Sequence, residues 1–93
     1  MIMSNELLNN ILGEIANERV RQNDKWGEQN HKPVEWIAIL TEEVGEAAKE
    51  ALENHFEYPN NEGLTNYRKE LVQVAAVAVQ MIECFDRNLK TNE

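Results

Sequence analysis

Three closely spaced glutamates, Glu42, Glu43 and Glu46, dominate the stretch TEEVGEAAKE, which contains a single lysine. On a helix, like charges three or four residues apart repel each other by about 0.2–0.5 kcal/mol per pair unless they share a cation. A solvated acidic face is the simpler interpretation, and it is preferred for Glu50 and Glu53. For the first three glutamates, the spacing favours a cation site.

A fourth carboxylate, that of Glu70, begins an apolar row on a later helical pattern. At about 100° per residue, the row continues through Val74, Val77 and Met81. An unpaired charge there is costly, so Glu70 is expected to be neutral, paired with a base such as Arg19, or bound to a metal ion. Gln73 adds an amide oxygen on the neighbouring edge. Oxygen donors without a nearby histidine or cysteine favour Mg²⁺ or Mn²⁺.

The hydrophobic pattern predicts three helices that position these side chains. Apolar residues recur at amphipathic-helix spacing near residues 4–23, 34–54 and 65–89. Gly27 and Pro33 bracket one polar stretch, while Pro59 and Gly63 lie in another. No linker is long enough to separate domains, so the sequence predicts one all-α domain over residues 1–93.

Two features of the helices need partners. Arg19 continues the apolar stripe of the first helix, so either its stem packs while its head reaches water, or it points at an anion inside the bundle. The third helix is apolar almost all round from Leu71 to Val79. Three helices of this length cannot enclose that surface, so burial within an oligomer is expected.

The charge balance excludes some partners. Nine basic and seventeen acidic residues give a net charge of −8, which repels nucleic acid unless a basic patch or a cation intervenes. No apolar run reaches the roughly 18 residues of a membrane span, and no signal peptide is visible. We therefore expect a cytoplasmic protein without nucleic-acid or membrane partners, in which Cys84 is a small buried hydrophobic residue.

Three segments together resemble the MazG-like all-α nucleoside triphosphate pyrophosphohydrolases. These segments are ERVRQNDKWGEQ, ILTEEVGEAAKEAL and YRKELVQVAAVAVQMIE, and the resemblance covers roughly residues 17 to 86. The family signature is EExxE followed by ExxD. By position it implies metal ligands at Glu43, Glu46 and Glu70, with Glu42 serving a second ion or the attacking water. Gln73 stands where the signature has aspartate, which removes one negative charge from the site.

The resemblance also implies an activity and an assembly. Such enzymes cleave a nucleoside triphosphate between its α and β phosphates, with Mg²⁺ or Mn²⁺ bridging the acidic residues and the substrate. Arg19 and Lys25 would then steady phosphate oxygens, and Trp26 would either stack on a base or close the core. Family members form dimers or tetramers, so a four-helix-bundle-type core shared in a homodimer or homotetramer is implied.

Two other functions fit the same residues. The chain could be a catalytically inactive MazG-like assembly or regulatory module that binds metal or nucleotide, and Gln73 is the best support for that alternative. It could also be an interaction protein in which the glutamates bind ions only for stability. Release of pyrophosphate from nucleoside triphosphates separates both from the enzyme.

Overall fold

The computed structural model describes residues 4–58 and 64–92, and all of its regular structure is helical. The helices are α1 (Ser4–Trp26), α2 (Pro33–His55) and α3 (Leu64–Asn92). The three predicted helices are confirmed, each extending one to three residues further at one or both ends. Pro59 and Gly63, which were expected to mark the second loop, lie outside the described residues.

Local chemistry sets the ends of the first loop. Gly27 follows α1 with φ of 73°, a left-handed conformation that favours glycine, and its N–H donates to the Asn23 carbonyl at 2.8 Å. Pro33 begins α2, where its missing N–H is not needed. The Glu35 carboxylate accepts a hydrogen bond from the Lys32 N–H at 2.8 Å. The loop therefore turns the chain sharply between α1 and α2.

Helix α3 is the centre of the arrangement. It packs against both α1 and α2, whose backbones do not come close to each other within the described residues. Helix α3 runs antiparallel to α2, because Trp36 and Cys84 line one groove while Glu46 and Glu70 meet further along. The buried apolar residues are Trp36, Ala47, Ala76, Val77 and Cys84. The core is therefore thin, and Cys84 is buried in it as expected.

The chain exposes more surface than a compact monomer of its size. Its accessible area is 7134 Å², whereas about 5,500 Å² is typical of a monomer of this mass. Its radius of gyration is 15.6 Å, against about 12 Å for a compact domain of 93 residues. Within the described ranges, no helix has the length and apolar character needed to cross a membrane.

Candidate metal centre

The glutamates of α2 and α3 converge as the acidic pattern predicts. One carboxylate oxygen each from Glu43, Glu46 and Glu70 lies within 4.8 Å of the others. Because Glu43 and Glu46 are three residues apart, both reach toward the antiparallel α3. Glu43 and Glu70 are half-buried, whereas Glu46 is exposed. The three side chains, called the acidic trio below, therefore form one cluster with access to solvent.

The trio is electrostatically unfavourable when its members are all ionised. Burial raises the pKa of Glu70, and Glu46, Glu43 and Glu50 raise it further. Burial likewise raises the pKa of Glu43, with added effects from Glu46 and Glu42. In addition, Glu70 Oε2 is buried, and none of the described residues donates a hydrogen bond to it. Protons or a cation would relieve this repulsion.

Basic residues stand beside the trio in a cleft of about 520 Å³, called the acidic cleft below. Arg68 donates to the two Glu14 carboxylate oxygens at 2.8 and 2.6 Å, and Arg21 donates to those of Glu18 at 2.9 and 2.6 Å. Lys69 also lines the cleft. Helix α1 thus contributes Glu14, Glu18 and Arg21 to the cleft, and none of these three was among the predicted site residues.

The sequence did carry a signal for these additional residues. Glu14, Glu18 and Arg21 are spaced four and three residues apart, so they share one face of α1. Arg68 and Lys69 directly precede Glu70. What the sequence could not provide was the side of α3 on which α1 packs.

Gln73 lines the acidic cleft together with the trio. Its Oε1 accepts a hydrogen bond from Gln22 Nε2 at 3.4 Å. The pKa of Glu18 is lowered chiefly by the hydrogen bond from Arg21, and Gln73 lowers it further. Gln73, which stands where the signature has aspartate, thus lines the cleft, and its amide oxygen already has a partner on α1.

Arg19 is buried against a protein carboxylate. Its Nε lies 2.6 Å from Glu83 Oε1, and its two terminal nitrogens donate to Gln22 at 2.9 Å and Asn23 at 3.1 Å. Because Arg19 is only 7% exposed, the expectation that its head reaches water is wrong. The pairing with Glu70 considered from sequence is not formed, and phosphate binding by Arg19 stays a prediction.

Glu42 lies apart from the acidic trio. It is exposed and is not among the residues that line the acidic cleft. Its charge nevertheless reaches the site, since it contributes to the raised pKa of Glu43. Its predicted catalytic role stays a prediction.

Lys25 and Trp26 lie together at the end of α1. The Lys25 ammonium is 4.9 Å from the centre of the Trp26 ring, and this ring is 63% exposed. The prediction that Trp26 closes the core is therefore wrong for this chain. Trp36, in contrast, is 3% exposed and belongs to the core.

A second, smaller pocket of about 160 Å³ adjoins the acidic cleft. It is called the glutamine pocket here, and its lining includes Gln22, Trp26, Gln29, Gln73, Val77 and Gln80. Arg21, Glu43 and Gln73 line both cavities. A ligand held by the trio could therefore extend toward Trp26 without leaving the protein surface.

Comparison of the chain with protein-family models, curated proteins and solved structures gives no match. Interpretation of the site therefore depends on the three sequence motifs and on the geometry of the acidic cleft.

Proposed function

We propose that the protein is a metal-dependent nucleoside triphosphate pyrophosphohydrolase that releases a nucleoside monophosphate and pyrophosphate. The observation that carries the proposal is the acidic cleft, in which the trio Glu43, Glu46 and Glu70 stands beside Arg21, Arg68 and Lys69. Carboxylates suit a divalent cation, and guanidinium and ammonium groups suit phosphate oxygens. A polyphosphate carried by a cation is the substrate class that needs both.

The residues present fit Mg²⁺ or Mn²⁺. All the donors are oxygens, and the trio's carboxylate oxygens lie within 4.8 Å of one another, so small side-chain rotations would bring them to a common ion. The buried Glu70 Oε2, which accepts no hydrogen bond from the described residues, lies at this place. A bound ion would supply neutralisation of phosphate charge and a lowered pKa for water. Gln73 would add an amide oxygen on releasing its bond from Gln22.

The chain's own residues would orient the substrate. Arg21 and Arg68 have side chains that are 54% and 57% exposed, so each can reorient from its glutamate toward a phosphate oxygen. Lys69 and the predicted phosphate ligand Lys25 would add positive charge along the same path. Glu42 is proposed to act on the attacking water or to serve a second ion. Trp26 offers an exposed aromatic face for a base.

We further propose that the protein works as a homodimer or homotetramer with a shared four-helix bundle. Its accessible area exceeds that of a compact monomer by roughly 1,600 Å², which is more than the ~800 Å² that each partner buries in a standard interface. Helices α2 and α3 together form an apolar groove of about 400 Å³, lined by Pro33, Ile37, Met81, Phe85 and Leu89 among others. A second copy is the partner that would cover this groove.

The test of the enzymatic proposal is pyrophosphate release. Purified protein should convert at least one standard or modified nucleoside triphosphate to its monophosphate when Mg²⁺ or Mn²⁺ is present, and Glu46→Gln should abolish this turnover. Glu50→Gln is the matched control, because it removes a carboxylate one turn further along α2 and should keep activity. Equal turnover by wild type and Glu46→Gln would exclude the metal-dependent reaction.

One observation favours a second candidate, a regulatory module that binds nucleotide without turnover. The Gln73 amide oxygen is engaged by Gln22, and Gln73 lacks the charge of the signature aspartate. Such a module would bind a nucleoside triphosphate with Mg²⁺ in calorimetry and release no pyrophosphate from it. The same substrate panel therefore separates the two candidates.

A further inference from the structure

The glutamine pocket contains a glutamine side chain to which none of the described residues hydrogen-bonds. Gln80 is 7% exposed, and no described residue hydrogen-bonds to its side chain. The other three glutamines of the pocket are engaged: Gln22 Oε1 accepts from Arg19, Gln73 Oε1 accepts from Gln22, and Gln29 Oε1 lies 3.4 Å from His31 Nε2. Although Gln80 as a residue is almost fully buried, its amide atoms are not among the buried atoms that lack a partner, so the amide opens into the glutamine pocket, where it can meet a ligand.

We infer that Gln80 binds the hydrogen-bonding edge of a nucleobase and determines which base the protein accepts. This inference rests on the proposed function, because it places the base relative to a triphosphate held in the acidic cleft. An amide presents an acceptor and a donor side by side, which matches the adjacent donor and acceptor on the edge of a base. A free phosphate or an alkyl chain would leave at least one of these groups unpaired.

The surroundings of Gln80 also suit a planar heterocycle. The exposed Trp26 ring offers an aromatic face, and the buried Val77 offers an apolar contact. Stacking on an aromatic ring and hydrogen bonding at the edge are the two contacts by which proteins hold single bases. The pocket supplies both within about 160 Å³.

The position along α3 agrees with a nucleotide that spans both cavities. Gln80 follows Glu70 by ten residues, which is about 15 Å of helix rise. Arg68 and Lys69 stand at the Glu70 end, so phosphates belong there and the base belongs near Gln80. The distance between them leaves room for a sugar, and Gln73 borders both cavities midway.

The experiment uses nucleosides without phosphates and without metal, so that the trio takes no part. Adenosine, guanosine, cytidine, uridine and thymidine are titrated into ¹⁵N-labelled protein while the side-chain amide signals are followed, the Gln80 signal being assigned by its loss in Gln80→Met. Methionine keeps the length and packing of the side chain but cannot pair with a base edge. Asn9→Met, an exposed amide near the start of α1, is the matched control.

We expect one base to shift the Gln80 amide signal most and to lose about tenfold in affinity in Gln80→Met, with no change in Asn9→Met. Nucleoside affinities unchanged by Gln80→Met, or no shift of the Gln80 signal with any nucleoside, would overturn the inference even if triphosphates are hydrolysed. Loss of nucleoside preference in Gln80→Met would support it even if wild type releases no pyrophosphate, and only the hydrolase proposal would then fail.

Discussion

The Arg19 guanidinium on α1 lies 2.6 Å from the Glu83 carboxylate on α3, although the two residues are 64 positions apart. The Arg19 side chain is 8% exposed and that of Glu83 is 43% exposed, so the pair is shielded mainly on its cationic side. It is the deepest of the ion pairs found between α1 and α3 in the described part of the chain.

Breaking this pair should destabilise the fold. Glu83→Gln should lower the free energy of unfolding by about 1–2 kcal/mol, since it leaves the buried guanidinium with neutral partners only. A double-mutant cycle with Arg19→Met, measured by urea unfolding, gives the coupling. The matched pair Glu14 and Arg68 is exposed, and its cycle should give a clearly smaller value. Similar coupling energies for both pairs would contradict the prediction.

Neutralising Glu70 should have opposite effects with and without metal. In metal-free protein at pH 7, Glu70→Gln should raise the free energy of unfolding by about 0.5 kcal/mol, because like-charge repulsion within the trio is removed. In millimolar Mg²⁺ or Mn²⁺, wild type should gain thermal stability through binding to the native state, and the variant should not. Calorimetry in both conditions is the measurement, with Glu50→Gln as the control that keeps the metal response.

The pH dependence of stability follows from the same carboxyls. The pKa values of Glu70 and Glu43 are raised on folding, chiefly by burial, so the folded state takes up protons before the unfolded state does. Metal-free stability should therefore rise as pH falls from 7 toward the unfolded carboxyl value of 4.5. Below this pH, stability should fall again, because folding lowers the pKa values of Glu14 and Glu18.

This pH profile should change when metal is present. Protons and cations compete for the trio, so stabilisation by Mg²⁺ should shrink as pH falls through the raised pKa values. Thermal melts at matched ionic strength, with and without the ion, measure the difference. An unchanged metal shift from pH 7 to pH 5 would show that the ion binds elsewhere.

Gln73→Asp should tighten metal binding. The substitution adds a negative charge at the border of the acidic cleft, and turnover should survive or rise. Because the new carboxylate would stand near Glu18, metal-free protein should lose a few tenths of a kcal/mol of stability. Titration calorimetry with Mn²⁺ measures the affinity, and Gln73→Asn is the control that shortens the side chain without adding charge.

The assembly proposal gives a prediction about mass. Light scattering at micromolar concentration should give at least twice the monomer mass of 10.8 kDa. Phe85→Lys should weaken the assembly, because Phe85 is 62% exposed and lines the apolar groove between α2 and α3. Val20→Lys on α1 replaces a residue of similar exposure, 59%, and should leave the mass unchanged. A wild-type monomer would refute the proposal.

The helices could be predicted from hydrophobic spacing, whereas the spacing of the glutamates included Glu42, and only the family resemblance implied the set Glu43, Glu46 and Glu70 that the structure brings together. Glu43 and Glu46 must share a face at three residues apart, and a carboxylate heading an apolar row must meet the core. The partner of Arg19 could not be predicted in this way. Helical periodicity gives the direction of a side chain around its own axis, but not the register of α1 along α3.

The exposure of Trp26 was not predictable for a related reason. Large aromatic side chains are usually buried. The glycine that follows α1, Gly27, marks where the helix ends but does not show which way its last turn faces. The exposure of Trp26 depends on where α2 packs relative to α1. With α2 packed elsewhere on α3, nothing in the described residues covers the end of α1 beside Trp26.

Because the backbones of α1 and α2 do not approach each other, α3 is the common support on which both helices pack. Helix α2 carries two members of the trio, and α1 carries Glu18 and Arg21 on the other side of the acidic cleft. The separation of α1 and α2 across the acidic cleft is therefore set by two separate interfaces, that of α1 with α3 and that of α2 with α3. A ligand bound in the acidic cleft by residues of both helices would link α1 to α2 directly.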